Sequence, residues 1–260
     1  MERMKGKERS RRQRLGYTDL PVDTVTITSL ITSIREDYER VNHFISFFQD
    51  QRARLMGLRR LGVNPGVGLE MGSGPGNFTR IFRPLVEGLL VCLDYSDTML
   101  AYSRRRTEDP GIGYVRGVFE ALPLRSGSVN SVATAYALRD STDKSRTIAE
   151  IDDVLRERGR LLIIDVGRPS NPIVEGFLAL YMRYLVPVIG GLVAGHGYMN
   201  PWSYLYKTYG TLPVNNTLLR ILEHVFDEAE LFELSFGGLV VALAEKRKGK
   251  KWKDTVLTGQ

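Results

Sequence analysis

Between Val67 and Gly76 the chain reads V-G-L-E-M-G-S-G-P-G, an apolar run that passes into three alternating glycines. Gly72, Gly74 and Gly76 permit a sharp turn and let the backbone approach a ligand that any Cβ would hold away. The spacing does not fit two common nucleotide loops. A dinucleotide fingerprint needs glycine at position 77, which is Asn77, and a phosphate loop needs Gly-Lys-Ser/Thr, which does not occur here. What remains is an acid, Glu70, two residues ahead of G-x-G-x-G. A second apolar run, Leu89 to Leu93, ends at Asp94, 18 residues after Gly76. A carboxylate about 20 residues beyond a glycine loop stands where ribose hydroxyls donate hydrogen bonds. A ligand-free strand-to-helix turn accounts for the glycines alone, and less well for the glycines together with Asp94.

These residues need strands to carry them and helices to cover the strands. Val67–Met71 and Leu89–Leu93 read as the first two strands, Tyr114–Gly117 as a short third, Val129–Ala135 as the fourth and Arg160–Val166 as the fifth. Helices alternate with them: the first turns from Asn77, then Ser96–Arg106 with Ser96 as cap, then Ser145–Leu155. That alternation is the pattern of a mostly parallel sheet covered on both faces. Upstream, Val41, Phe44, Ile45 and Phe48 fall on one helical face, and a second helix, Gln49–Leu61, ends at Gly62 before an Asn64-Pro-Gly turn. Val22–Ile34 suits strand or helix equally. Phe177–Ala194 is strongly apolar but interrupted by Arg183, Pro187, Gly190 and Gly191, which argues for a lid or a membrane-facing helical pair rather than a span. A helix near Leu218–His224 and an antiparallel hairpin, Glu228–Phe236 and Leu239–Ala244 joined at Gly237-Gly238, close the chain.

Charge divides the 260 residues differently. Residues 1–16 hold seven Lys/Arg against two Glu and residues 245–260 hold six against two acids, so the ends carry +5 and +4 of a net +6 and the body −3. Basic ends of this kind bind phosphate on lipid head groups or nucleic acid, or merely solubilise the chain. No apolar segment of the secretory type opens the sequence. The single cysteine, Cys92, lies within an apolar strand and reads as a small buried hydrophobe; His43, His196 and His224 are too scattered for a zinc site, so no metal is expected.

The acid before G-x-G-x-G resembles the S-adenosylmethionine site of class I methyltransferases, whose fold is a Rossmann-like, mostly parallel seven-stranded sheet with an antiparallel carboxyl-terminal hairpin. Three further segments are more selective. Glu120-Ala-Leu-Pro123, Ala135-Tyr-Ala-Leu-Arg139-Asp140, and Tyr38-x-x-x-Asn42-x-x-x-Ser46 together resemble the ubiquinone/menaquinone biosynthesis C-methyltransferase family. Leu185-x-Pro187-x-x-Gly190 and Gly238-Leu-Val-Val-Ala-Leu are similar to its carboxyl half. The resemblance runs from about Tyr38 to Glu245. It implies that Glu70, Gly72, Ser73, Gly74, Gly76, Asp94, Tyr95, Val118, Phe119 and Ala135 hold S-adenosylmethionine. Taken with the charge distribution, it divides the chain into a basic arm at 1–16, a helical lid at 17–62, the cofactor domain at 63–246 with a lid or substrate insertion at 170–217, and a basic tail at 247–260. Departures from the family pattern are Val118 where an Asp or Asn usually meets adenine, Asp140 where Asn is usual, and Val129-Asn130 where Phe-Asp opens the fourth strand.

Methyl transfer to carbon needs an activated ring, because carbon becomes a good nucleophile only when a neighbouring hydroxyl loses its proton. The resemblance implies that Tyr38, Arg139 and Asp140 act together there. Arg139 is too basic to take a proton and suits a phenolate stabiliser, which leaves Asp140 as acceptor; an ordinary ion pair is the competing account. The expected substrate is a lipid-like prenylated quinol, met by a cytoplasmic protein at the inner face of an anionic membrane, with room for a homodimer. Another small molecule or lipid is the second choice. RNA is the least supported, since Ala135-Tyr-Ala-Leu replaces the Asn/Asp-Pro-Pro-aromatic segment of many base-amino methyltransferases, and a binding module without turnover is a further alternative.

Overall fold

The structure is a computed structural model that describes residues 37–195 and 200–246. The basic ends, Val22–Ile34 and His196 lie outside the described residues. Seven strands form one sheet in the order β3-β2-β1-β4-β5-β7-β6. They are β1 Gly68–Met71, β2 Leu90–Asp94, β3 Ile112–Arg116, β4 Val129–Ala135, β5 Leu155–Val166, β6 Glu228–Leu234 and β7 Leu239–Glu245. The first five are parallel, whereas β7 runs antiparallel to both β5 and β6, so the sheet and its terminal hairpin are as expected.

Central strands buried on both faces read as continuous apolar runs rather than alternating ones. In β5, Leu161 and Ile163 face one core and Leu162 and Ile164 the other. The first core is closed by α5 (Lys144–Val154) and α9 (Asn215–Val225), through Ile148, Ile151, Leu218 and Leu222. The second takes Ala53, Leu58 and Leu61 from α2 (Gln49–Leu61), which approaches so closely that a Cβ on Gly57 would lie 2.8 Å from Leu162 Cδ1. The helix α2 therefore packs into the sheet's own core, although it falls in the stretch expected to form a lid. Ser96 caps α4 (Asp97–Thr107) by accepting from Met99 N–H, as expected, and Asp143 caps α5 through Arg146 N–H.

Several local expectations are corrected. Helix α1 is Tyr38–Ile45 and stops there, because Phe47 and Phe48 take left-handed backbone with φ of 51° and 61°. Only Val41 of the expected apolar face is buried; Phe44 and Phe48 are exposed. The helix after the glycine loop, α3, is a single turn, Thr79–Phe82, continued as a 3-10 turn over Arg83–Leu85. The fifth strand begins at Leu155, with an irregularity before Arg160 where Arg158 adopts φ of 61°.

Residues Pro172–Ala194 run as one helix rather than a broken pair: α6 (Pro172–Leu180), a π segment (Tyr181–Leu185) and α7 (Val186–Ala194). By length and composition it could cross a bilayer. One face, Met182, Val186 and Gly190, packs on Trp202, with Val41 and Tyr209 completing a third core. Ile173, Phe177, Leu180, Tyr184, Val188 and Leu192 recur at helical spacing on the opposite face and are exposed. Two short helices, the 3-10 turn Pro201–Tyr204 and α8 (Leu205–Gly210), follow.

Candidate cofactor and acceptor site

The strand order reverses between β1 and β4, and an open parallel sheet offers its ligand crevice at the carboxyl ends of the strands beside such a point. The glycine loop leaves β1 here. Gly72, at φ of 70°, lies against β4's continuation, where an added Cβ would sit 2.3 Å from Ala137 Cβ. Gly74, at φ of 52°, faces open space and donates its N–H to Asp94 Oδ2 at 2.8 Å. The other oxygen of Asp94 accepts from Ser96 N–H, also at 2.8 Å. The carboxylate at the end of β2 thus holds the loop and still has acceptor capacity toward the cleft. Burial raises its pKa, while the N–H groups of Ser96, Gly74 and Tyr95 oppose the shift.

This first cleft has an empty volume of about 1080 Å³, open solvent included. Of the residues expected to hold the cofactor, Gly72, Ser73, Gly74, Asp94, Tyr95, Val118, Phe119 and Ala135 line it. Val118 contributes an apolar wall, and Arg116 stacks over the Tyr95 ring at 5.3 Å. Two expected residues do not reach the cleft. Gly76 instead abuts α4, where a Cβ would meet Ser103 Oγ at 2.5 Å. Glu70 is buried beneath the loop, with Cys92 Sγ 3.7 Å from its Oε2. Desolvation pushes its pKa up to about 8, against the hydrogen bonds of Thr79 and Cys92, so it is mostly a neutral acid at pH 7.

A second cleft, with an empty volume of about 1310 Å³ including open solvent, lies between α1, the long helix and the β6–β7 connection. Its wall is mainly apolar, with Ile45, Leu178, Met182, Val186 and Leu239. Polar groups enter at one side: Asn42 and Ser46 from α1 and its end, Asp50 from α2, and Arg139 after β4. Ser46 Oγ donates to Asp50 Oδ1 at 3.0 Å, and His43 Nδ1 lies 2.7 Å from Asp50 Oδ2. Tyr38 opens α1, but its side chain lies outside what is described.

Arg139 and Asp140 stand on different sides of the seam between the clefts: Arg139 lines the second and Asp140 the first. Arg139 is buried, and its nearer acid is not Asp140, whose Oδ1 is 3.9 Å from Nε, but Asp165 at the end of β5. Asp165 Oδ1 accepts from Arg139 Nη1 and Oδ2 from Arg139 N–H, both at 3.2 Å. Burial raises the Asp165 pKa and Arg139 opposes it. For Asp140, burial against the opposing pull of Arg139 leaves the pKa at about 6. Tyr136 lines both clefts; its φ is 61° and its hydroxyl donates to Asp50 O at 3.3 Å. Burial drives its phenol pKa upward. A non-glycine residue in that region costs about 1–3 kcal/mol and tends to mark a working position.

Sequence reasoning missed Asp165, Tyr136, Arg54 and Pro75 as site residues. A lone acid closing the apolar run Leu161–Ile164 was the available signal for Asp165. For Arg54, which reaches the first cleft from α2, no local pattern was available.

Residues 20–246 match the family model of the ubiE/COQ5 methyltransferase family. A ubiquinone/menaquinone biosynthesis C-methyltransferase UbiE of Blochmanniella pennsylvanica is 28% identical over 253 residues, covering 94% of this chain and 99% of that protein. Another, of Hahella chejuensis, is 30% identical over 217 residues, covering 80% and 86%. A demethylmenaquinone methyltransferase of Lactococcus lactis is 27% identical over 248 residues, covering 92% and 96%. Among solved structures, a SAM-dependent methyltransferase from Thermotoga maritima superposes with a TM-score of 0.59 at 18% identity, covering 85% of this chain and 100% of that one, a likeness of fold.

Proposed function

Since the chain belongs to the ubiE/COQ5 methyltransferase family, we propose that it is an S-adenosylmethionine-dependent C-methyltransferase whose acceptor is a prenylated quinol ring. The observation that carries this reading is the pair of adjoining clefts, one built on the glycine loop and bearing the Asp94 carboxylate, the other mainly apolar, parted at Tyr136 and bordered by Arg139 and Asp140. The first cleft suits the cofactor. Gly74 presents open space and Asp94 keeps acceptor capacity, while the buried Ser73 hydroxyl has no hydrogen-bond partner among the described residues. Bound there, the cofactor supplies an electrophilic methyl group.

The protein's own work is alignment, exclusion of water and activation of the acceptor. Arg139, held in place by Asp165, presents a preorganised cation to the second cleft and favours the phenolate of a quinol hydroxyl. Asp140, with its pKa near 6, is deprotonated at neutral pH and takes the hydroxyl proton. The apolar wall formed by α1 and the long helix accommodates a prenyl tail. The exposed stripe Ile173, Phe177, Leu180, Tyr184, Val188 and Leu192 supports peripheral contact with a lipid surface on the cytoplasmic side, where such a tail resides.

The test is incubation with methyl-labelled cofactor, anionic vesicles carrying a reduced prenylated quinone, and a separate RNA pool, followed by sedimentation. Label in the quinol and co-sedimentation of the protein are expected. Label in RNA, or none in the quinol, would overturn the acceptor, and protein left in the supernatant would overturn the membrane contact.

A further inference from the structure

Arg54 is an unusual presence in the first cleft. It belongs to α2, a helix otherwise committed to the sheet's core, and its side chain is nine-tenths or more buried where it lines the cleft. Burying a cation is costly unless hydrogen bonds replace its hydration. Yet Nε and Nη1 make no hydrogen bond among the described residues. The nearest acids, Glu39 Oε1 and Asp50 Oδ2, are each 3.8 Å from Nη1, too far for one, and the Tyr136 ring centroid is 5.3 Å away. The Ser73 hydroxyl, also buried, lines the same cleft and also lacks a partner among the described residues. Two donors with unmet capacity therefore line one cleft.

Their place in the sheet says which part of a ligand they meet. Asp94 ends β2 and Tyr95 follows it, on one side of β1, whereas Arg54 stacks over Tyr136, just after β4, on the other. If Asp94 holds the ribose, the amino-acid end of the cofactor extends toward β4. That end carries a carboxylate, the group whose geometry a guanidinium matches with two parallel hydrogen bonds. We infer that Arg54, assisted by Ser73, is the binding site for the α-carboxylate of the cofactor, a positioning residue that fixes how far the reactive end reaches toward the Tyr136 partition. The inference rests on the cofactor reading above.

Calorimetry on the full chain separates the two. S-adenosylhomocysteine carries the amino-acid end, and methylthioadenosine keeps the nucleoside and lacks that end. Arg54→Gln should weaken S-adenosylhomocysteine by about ten- to a hundred-fold, with Arg54→Lys intermediate and methylthioadenosine changed by less than about two-fold throughout. Equal affinity of wild type and Arg54→Gln for S-adenosylhomocysteine, or parallel loss of both ligands, would overturn the site while leaving the cofactor reading in place. A wild-type protein that binds neither ligand overturns the cofactor reading and the carboxylate site with it. Should thermal melting show Arg54→Gln to be unfolded, Arg54→Lys decides by the same selective loss.

Discussion

Glu70 offers a prediction that can be worked through in numbers. The side chain is buried beneath the glycine loop, and its pKa rises from 4.5 to about 8, chiefly through desolvation. Between those values the folded protein keeps a proton that the unfolded chain has released, so folding stability falls as pH rises through that window. With these two pKa values the loss attributable to Glu70 grows by about 2.5 kcal/mol from pH 5 to pH 7. Asp94, Asp140, Asp152 and Asp165 are raised as well and act in the same direction, so the wild-type slope alone assigns nothing. Glu70→Gln isolates the group, since glutamine keeps the shape and does not titrate. The melting temperature of the wild type should drop between pH 5 and pH 7 by about 5 to 10 °C more than that of Glu70→Gln, at the 2–4 °C per kcal/mol expected for a domain of this size. Scanning fluorimetry across that range is sufficient. Parallel curves would show that Glu70 is ionised in the fold and that the account of a neutral acid under the loop is wrong.

Three other outcomes follow from the site. Asp94→Asn should bind S-adenosylhomocysteine at least about ten-fold more weakly, because a single amide oxygen cannot replace a carboxylate that already accepts from Gly74 and Ser96; unchanged calorimetry would remove Asp94 from the site. Arg139→Ala leaves the buried Asp165 charge uncompensated and should cost about 3–5 kcal/mol of stability in denaturant titration, whereas Arg139→Met with Asp165→Asn should fold and yet lose about 10² in single-turnover methyl transfer. A folded double variant of normal rate would retire Arg139 as phenolate stabiliser. The methyl-transfer rate should rise with pH through about 6, as Asp140 loses its proton, and Asp140→Asn should lower the rate and abolish that acid limb. An unaltered limb in the variant would assign it to another group.

The parts of this molecule readable from the chain are those whose cause is local. Glycines at 72, 74 and 76, an acid at 94 and a hydroxyl at 96 act within their own turn or on the next strand, and the structure has each where strand and turn chemistry put it. The continuous apolar runs of β2 and of Leu161–Ile164 in β5 announced a sheet covered on both sides. Partnerships set by register between distant strands were not readable. Arg139 looked toward its neighbour Asp140, but parallel pairing of β4 with β5 brings Asp165 closer. The same limit applies to Phe44 and Phe48. Helical spacing grouped them with Val41, but the left-handed backbone at Phe47 and Phe48 takes Phe48 out of the helix, and Phe44, still within it, is exposed.

Tyr136 makes the boundary between the two clefts one side chain thick. Methyl transfer requires its two reactants to come within bonding reach while each retains its own surroundings, water-poor and charge-matched on one side, greasy on the other. A thick partition would hold the reactants apart, and none would let the apolar tail invade the nucleoside site. A single aromatic residue, pinned at its hydroxyl to the Asp50 carbonyl and held in left-handed backbone, is a septum of about the right gauge. Its left-handed backbone then has a spatial meaning: it holds the ring at the one place where both compartments meet it.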